Sequence, residues 1–303
     1  MDTIVDTFID KLTNNLDKTN VPNEIDLVIS GGAFNGSYAI GILMYIQKLE
    51  HLKCLSVRRI SGASVGSMVG LAYLLNKLNL FNHLSIEMIN LFKTKYNLYD
   101  MKNKLMKVLK IMDKNDYKKL NNKLFITYFN TNTKKQVIVK KYKNNEEVIE
   151  CIFKSCYIPF FMDGNTSYKG NVDGGYPYIF EKNNEIKIMY VNLFSFKHIT
   201  GVLCLKNETN SYFRILKGIL DVDVFFKIKK NTHFCSYVNN WNVNDYFFFR
   251  SNEYFLFIVL ILLDIFNRVN SIIPIIIKEN EYYKWLKRIL FILYKDIVDK
   301  YIN

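Results

Sequence analysis

Ser64 sits in the stretch "RRISGASVGSMVG", residues 58–70, bracketed by Gly62 and Gly66 with Gly70 close behind. Glycine loses more backbone entropy on folding than other residues and packs little, so glycines this dense mark a backbone that needs room. The spacing is G-x-S-x-G, set between a strand-like run, "LSVRRIS", and a helix-like run, "SMVGLAYLLNKL". On such a turn the serine hydroxyl stands above the end of the sheet. The positive end of the following helix points at it and favours the anionic tetrahedral intermediate of acyl transfer.

A serine nucleophile also needs oxyanion donors and a base. The turn "SGGAFNG", residues 30–36, follows the apolar block "IDLVIS" and opens another helix, so its successive amides suit an oxyanion hole. It lacks the G-x-x-x-x-G-K-[ST] and G-x-G-x-x-G patterns of phosphate cradles. For the base, none of the four histidines (His51, His83, His198 and His233) lies in a turn-rich motif. Only about sixty residues precede Ser64, too few for the strands that come before the elbow in an α/β-hydrolase. Asp173 in "NVDGGY" is the better candidate, because it precedes Gly174 and Gly175 and follows an aromatic-rich segment. Apolar neighbours raise a carboxylate's pKa and let it take the serine proton directly.

These residues need elements to place them. Strand, glycine turn and helix occur twice in succession, which predicts a parallel sheet with helices packed on it. A short amphipathic helix over residues 5–17 precedes them, and residues 86–120 read as helical and basic. "KLFITYFN" and "KQVIVKKY" read as a hairpin across "TNTK". "NNEEVIECIFKSC" opens with asparagine and acidic residues, as a helix N-terminus does. With no internal repeat or flexible linker, residues 22–200 are expected to form one domain, followed by a mainly helical region over residues 201–303.

In order, "GGAFNG" at 31–36, "GASVG" at 62–66, "KSCYIPFFM" at 154–162 and "DGG" at 173–175 resemble the motifs of the patatin-like phospholipases. Those motifs are G-G-G-x-[RK]-G, G-x-S-x-G, A-S-x-x-x-P and D-G-[GA]. The resemblance covers about residues 25–180 and implies a three-layer α/β/α fold with helices on both faces of the sheet. It also implies a lipid acyl hydrolase that needs no metal or other cofactor, with Ser64 as nucleophile and Asp173 as base. Gly31, Gly32 and Ala33 would supply the oxyanion amides, while Gly36, Gly62, Gly66, Gly174 and Gly175 would support the turns. Two positions depart from the pattern. Ala33 replaces the third glycine and Asn35 replaces the basic residue, but neither change removes an N–H group. Weakened hydrolysis of phospholipid or related esters is therefore the first expectation. A patatin-fold protein of weak activity that binds lipid or partners is the alternative.

The net charge of +13, with lysine concentrated between Lys93 and Lys143, suits an anionic membrane surface. No nucleic-acid-binding motif accompanies it, so a nucleic-acid partner is not expected. No metal-ligating pattern occurs either. The five cysteines show no C-x-x-C pair and read as buried free thiols of a reducing compartment. The first twenty-six residues carry five aspartates and one glutamate without an apolar run, unlike a secretory signal. An intracellular protein with peripheral membrane association is the resulting expectation. "YFLFIVLILL", residues 254–263, is far shorter than the roughly twenty residues of a membrane span and reads first as a buried core helix, with a helix lying at a membrane interface as the alternative. "YKWLKRILFILYK", residues 283–295, reads as a basic amphipathic helix, either docked on the core or lying at a membrane surface.

Overall fold

The apolar runs that end in glycine turns become neighbouring parallel strands. The computed structural model describes residues 2–182, 185–194, 205 and 210–251, with single positions 254, 258, 261, 262, 265, 281, 285, 288 and 289. After α1 (Asp2–Asn14), β1 (Glu24–Ile29) leads through the first glycine turn into α2 (Gly36–His51). β2 (Ser56–Ala63) leads through Ser64 into α3 (Val65–Leu74). The basic stretch that reads as one helical region divides into α4 (Leu78–Lys95), α5 (Met101–Ile111) and α6 (Asp116–Leu120). The first of these breaks comes at Tyr96, whose φ of 54° ends α4 in the left-handed conformation.

The rest of the sheet comes from β3 (Leu124–Asn130), β4 (Lys135–Val139), β5 (Asn171–Asp173), β6 (Lys187–Val191) and β7 (Cys235–Tyr237). The path runs β4-β3-β2-β1-β6-β7, with β5 pairing β3 off this path. β1 is parallel to both β2 and β6, and β2 is parallel to β3. The sheet is not parallel throughout, because β4 and β5 are antiparallel to β3, and β7 is antiparallel to β6. A link as short as residues 131–134 can join only antiparallel strands.

Alternation along β1 sends Ile25, Leu27 and Ile29 to one face and Val28 to the other. The first face is covered by α2, α3, α7 (Asn145–Ser155) and α8 (Tyr212–Ile228). Over the second face lie Phe180, Val238, Trp241 and Phe249, the last within helical residues 243–251. The architecture is α/β, a central sheet flanked by helices.

The core runs past residue 200, the boundary expected from sequence, because α8 and β7 both belong to it. On α8, Ile215, Ile219, Val222 and Phe226 recur at helical spacing and are buried against α1, α2 and β7. Each such side chain contributes about 1.5–3 kcal/mol by leaving water. The two backbones of α2 and α8 approach at glycine notches. A Cβ on Gly41 would stand 2.1 Å from the Ile215 carbonyl oxygen, and one on Gly218 would stand 2.2 Å from that of Tyr38. Tyr45 of α2 also donates to the Asp223 carboxylate of α8 at 2.9 Å.

One expectation changes. Among the described positions of the apolar stretch taken for a buried helix, Tyr254 is 66% exposed and Leu262 59%, with Ile258 and Ile261 also exposed. An all-apolar run gives no polar face from which sequence could judge exposure. Among the described residues, no helix is long and apolar enough to cross a membrane.

Gly218→Ala should destabilise the protein by about 1–3 kcal/mol, since backbone atoms block the new methyl and the helices must part. Leu220→Ala, at an exposed position of the same helix, should change stability by less than about 0.5 kcal/mol. Urea denaturation of the two variants tests the contrast.

Candidate active site

β2 ends at Ala63 and α3 begins at Val65, so the turn between them is Ser64 alone, at φ 52° and ψ −130°. A non-glycine residue in such a region costs on the order of 1–3 kcal/mol and persists only when its surroundings fix it. Here the Ser64 N–H donates to Ser155 Oγ at 2.8 Å, and that hydroxyl donates to the Thr127 carbonyl at 2.6 Å. The Ser64 carbonyl accepts from both the N–H and the hydroxyl of Ser67. The flanking glycines are needed for contact: a Cβ on Gly62 would stand 2.5 Å from Ser67 N, and one on Gly66 would stand 2.5 Å from the Ile29 carbonyl. Because Ser155 takes the Ser64 amide, oxyanion donors must come from elsewhere.

Asp173 reaches Ser64 through the register of β3. β2 pairs with β3 as far as Thr127, opposite Ala63, and β5 pairs from Tyr128, opposite Asp173. Since β4 fills the other edge of β3, β5 continues the lane of β2 beyond its end. Ala63 and Asp173 therefore face adjacent residues of one strand. The Asp173 carboxylate accepts a hydrogen bond from the Gly175 N–H at 2.7 Å and lies near enough to the Ser64 hydroxyl to feel it. The residue as a whole is half-buried. Desolvation pushes the Asp173 carboxyl up to about 6, against the opposing pull of the Ser64 hydroxyl and the Gly175 N–H.

The first glycine turn lies against both groups. A Cβ on Gly31 would stand 3.2 Å from Ser64 Cβ and 3.3 Å from the Gly175 carbonyl. Among the described residues, no hydrogen bond engages the N–H groups of Gly31, Gly32 or Ala33. Ala33 has φ 44°, so the departure from glycine appears as backbone strain. Asn35 is fully buried; its Nδ2 donates to the Leu193 carbonyl at 2.8 Å, and its Oδ1 accepts from Arg214 at 2.6 Å. A cation therefore does reach this loop, from α8 instead of from position 35. Gly36 and Gly174 also lie in close contact, against Val65 and the Thr127 carbonyl respectively.

Beside Ser64 opens a cavity of about 370 Å³. Its walls include Phe34, Met68, Phe81, Met88 and Phe161, and Lys104 is the single charged residue among the described residues lining it. Cys156 also lines it, but burial raises its thiol well above the usual range, so it offers no competing thiolate. His51, His83 and His233 are exposed, and His198 lies outside the described residues. The arrangement suits acyl transfer: a hydroxyl close to a carboxylate, amides beside it, and an apolar space for an acyl chain.

Two supporting residues escaped the sequence reading. Ser155 lies within "KSCYIPFFM", a segment recognised there, but its bond to Ser64 depends on a tertiary contact. Arg214 gave no local signal. Ser155→Ala would leave the Ser64 N–H and the Thr127 carbonyl without their partner, and should destabilise the protein by about 1–3 kcal/mol. Ser155→Thr, which keeps the hydroxyl, should recover part of that loss in the same thermal unfolding measurement.

Residues 27–184 match the patatin-like phospholipase family. No curated protein matches the sequence. Among solved structures the chain is similar to the crystal structure of VipD from Legionella pneumophila, at 15% identity and a TM-score of 0.33. That similarity covers 55% of this chain and 49% of VipD, so the chain spans about half of VipD's length. The family match takes in more than half of the chain, with both glycine turns, Ser64 and Asp173 inside it, and the chain belongs to the patatin-like phospholipase family.

Proposed function

We propose that the protein is a phospholipase A-type lipid acyl hydrolase that works through a Ser64 acyl-enzyme with Asp173 as base. The observation that carries this reading is the strand register that sets Asp173 beside Ser64, which lines an apolar cavity. As Ser64 Oγ attacks the ester carbonyl, Asp173 takes its proton, and the oxyanion forms against the amides of Gly31, Gly32 and Ala33. Collapse breaks the ester C–O bond, and Asp173 returns the proton to the departing lysolipid alcohol. A water then loses its proton to Asp173 and attacks the acyl carbonyl. The fatty acid leaves and the proton returns to Ser64.

Phospholipids or related lipid esters fit as substrates, because the cavity can take an apolar chain and leave the head group outside. α5 supports contact with an anionic membrane. Its Met101 and Leu105 line the cavity, while Lys102, Met106, Lys107 and Lys110 are exposed. Within this reading, residues 22–200 form the catalytic domain, completed by α8 and β7, and the remainder of residues 201–303 adds membrane contact. No nucleic acid has a part in it. A protein of weak activity that mainly binds lipid or partners is the second reading, favoured by the strain at Ala33.

Ser64→Ala and Asp173→Asn should each lower ester hydrolysis on the order of a thousandfold or more, and the double variant should be little worse. Because Asp173 acts when ionised and its pKa is raised to about 6, kcat/KM should fall as pH drops through that value. The same raised pKa means that ionisation disfavours the folded state, so Asp173→Asn should not lower thermal stability at pH 8. Near-native turnover in Asp173→Asn would eliminate the dyad.

Binding to phosphatidylserine vesicles should weaken with salt, and with reversal of Lys102, Lys107 and Lys110 to glutamate, at about 1 kcal/mol per lysine near the surface. Hydrolysis of a small soluble ester should be unaffected by these reversals. Cosedimentation indifferent to both salt and charge would dismiss this face as the membrane contact.

A further inference from the structure

If Ser64 is acylated as proposed, the direction of the amides in the first glycine turn decides how well the oxyanion is held. Among them, that direction is set by what the neighbouring carbonyls do. A peptide unit is planar and trans, so fixing a C=O also fixes the N–H of the following residue, pointing the opposite way. The Gly31 carbonyl accepts from Ser30 Oγ at 3.0 Å, which orients the Gly32 N–H. The Gly32 carbonyl accepts from the Asn35 N–H at 2.9 Å, which orients the Ala33 N–H. The second of these depends on where Asn35 is held.

We propose that Arg214 is a positioning residue for the oxyanion loop, acting through Asn35. Arg214 lies on α8, outside the family-matched residues 27–184, and is only 2% exposed. Its Nη1 donates to Asn35 Oδ1 at 2.6 Å and to the Phe34 carbonyl at 3.1 Å, and its guanidinium lies 5.4 Å from the centre of the Tyr38 ring. Hydrogen bonds from a charged donor are the stronger kind, and a buried one is little weakened by water. Asn35 passes the constraint on: its Nδ2 donates to the Leu193 carbonyl, while the Leu193 N–H donates to Ser30 Oγ at 2.7 Å. Leu193 also closes on Gly32, where a Cβ would stand 2.5 Å from its own. Arg214, Asn35, Leu193 and Ser30 thus brace the loop from behind, and the Gly41 and Gly218 notches keep α8 from drifting away from α2. The strain at Ala33 makes such a brace necessary, since an alanine at φ 44° would otherwise relax and turn its N–H away.

The inference rests on the serine-hydrolase reading, and the experiment separates the two. Full-length wild type, Arg214→Met, Arg214→Lys and Asn35→Asp are assayed on a soluble p-nitrophenyl ester, with active sites counted by titration with a fluorophosphonate. Asn35→Asp keeps the acceptor for Arg214 but loses the donor to Leu193. Arg214→Met and Asn35→Asp should each lower kcat per titrated site on the order of tenfold or more, with KM little changed, because misaimed donors affect the transition state. Arg214→Lys should recover part of the loss. An unchanged kcat per titrated site, or a raised KM with kcat intact, would overturn the proposal. Should Arg214→Met fail to fold, the Asn35→Asp result decides alone by the same criterion. A wild type that neither hydrolyses the ester nor takes the label overturns the serine-hydrolase reading and this inference with it; an active wild type with indifferent variants overturns this inference alone.

Discussion

A serine held at φ 52° and ψ −130° is the constraint around which the rest of the molecule is arranged. Left alone, that backbone would relax to a common conformation and withdraw the hydroxyl. It is kept in place by the relay from Thr127 through Ser155 to the Ser64 amide, by Ser67 behind, and by glycines that let β1, β2 and α3 close around it. The relay through Ser155 and the contact of Gly66 with Ile29 join elements distant in sequence. The sheet must therefore be assembled before the turn can exist. The strain is a property of the whole α/β core expressed at one residue.

The same assembly sets the electrostatics. Asp173 is placed by β5 in the lane that β2 vacates, where desolvation raises its pKa while the Gly175 N–H and the nearby Ser64 hydroxyl pull it down. Desolvation outweighs the two, and the balance leaves a carboxyl at about 6 that is largely ionised at neutral pH and still basic enough to accept a proton. Deeper burial would keep it protonated. A nearby cation would make it a poorer base. Ser64 also lines the apolar cavity, so polar groups and apolar space meet at one residue.

Local sequence made part of this legible. The two strand–turn–helix units, the hairpin of β3 and β4 and the helix of residues 145–155 all carry their signals within a few residues: periodicity, glycine turns and an asparagine cap. The motifs bearing Ser64 and Asp173 were readable for the same reason. What sequence did not disclose was how distant pieces meet. Nothing in "SYFRILKG" announces that Arg214 will be buried behind Asn35, and the loss of a basic residue at position 35 looked like a missing anchor. The lane shared by β2 and β5 depends on register, which no run of residues displays. The exposure of Tyr254 and Leu262 was misjudged because a uniformly apolar stretch is compatible with burial and with display.

The order of strands also has a bearing on biosynthesis. β1 occupies the middle of the sheet, but its second parallel neighbour, β6, is made only when residues 187–191 emerge, and α8 follows later still. Until then, one edge of β1 and the outer side of α2 have no partner, and pairing across so much chain is slow relative to local helix formation. The nascent protein consequently carries Ser64 and Asp173 well before it carries the strand and helix that brace the neighbouring loop. A fully braced first glycine turn is therefore a late-acquired property of the chain, reached only when α8 has joined the core.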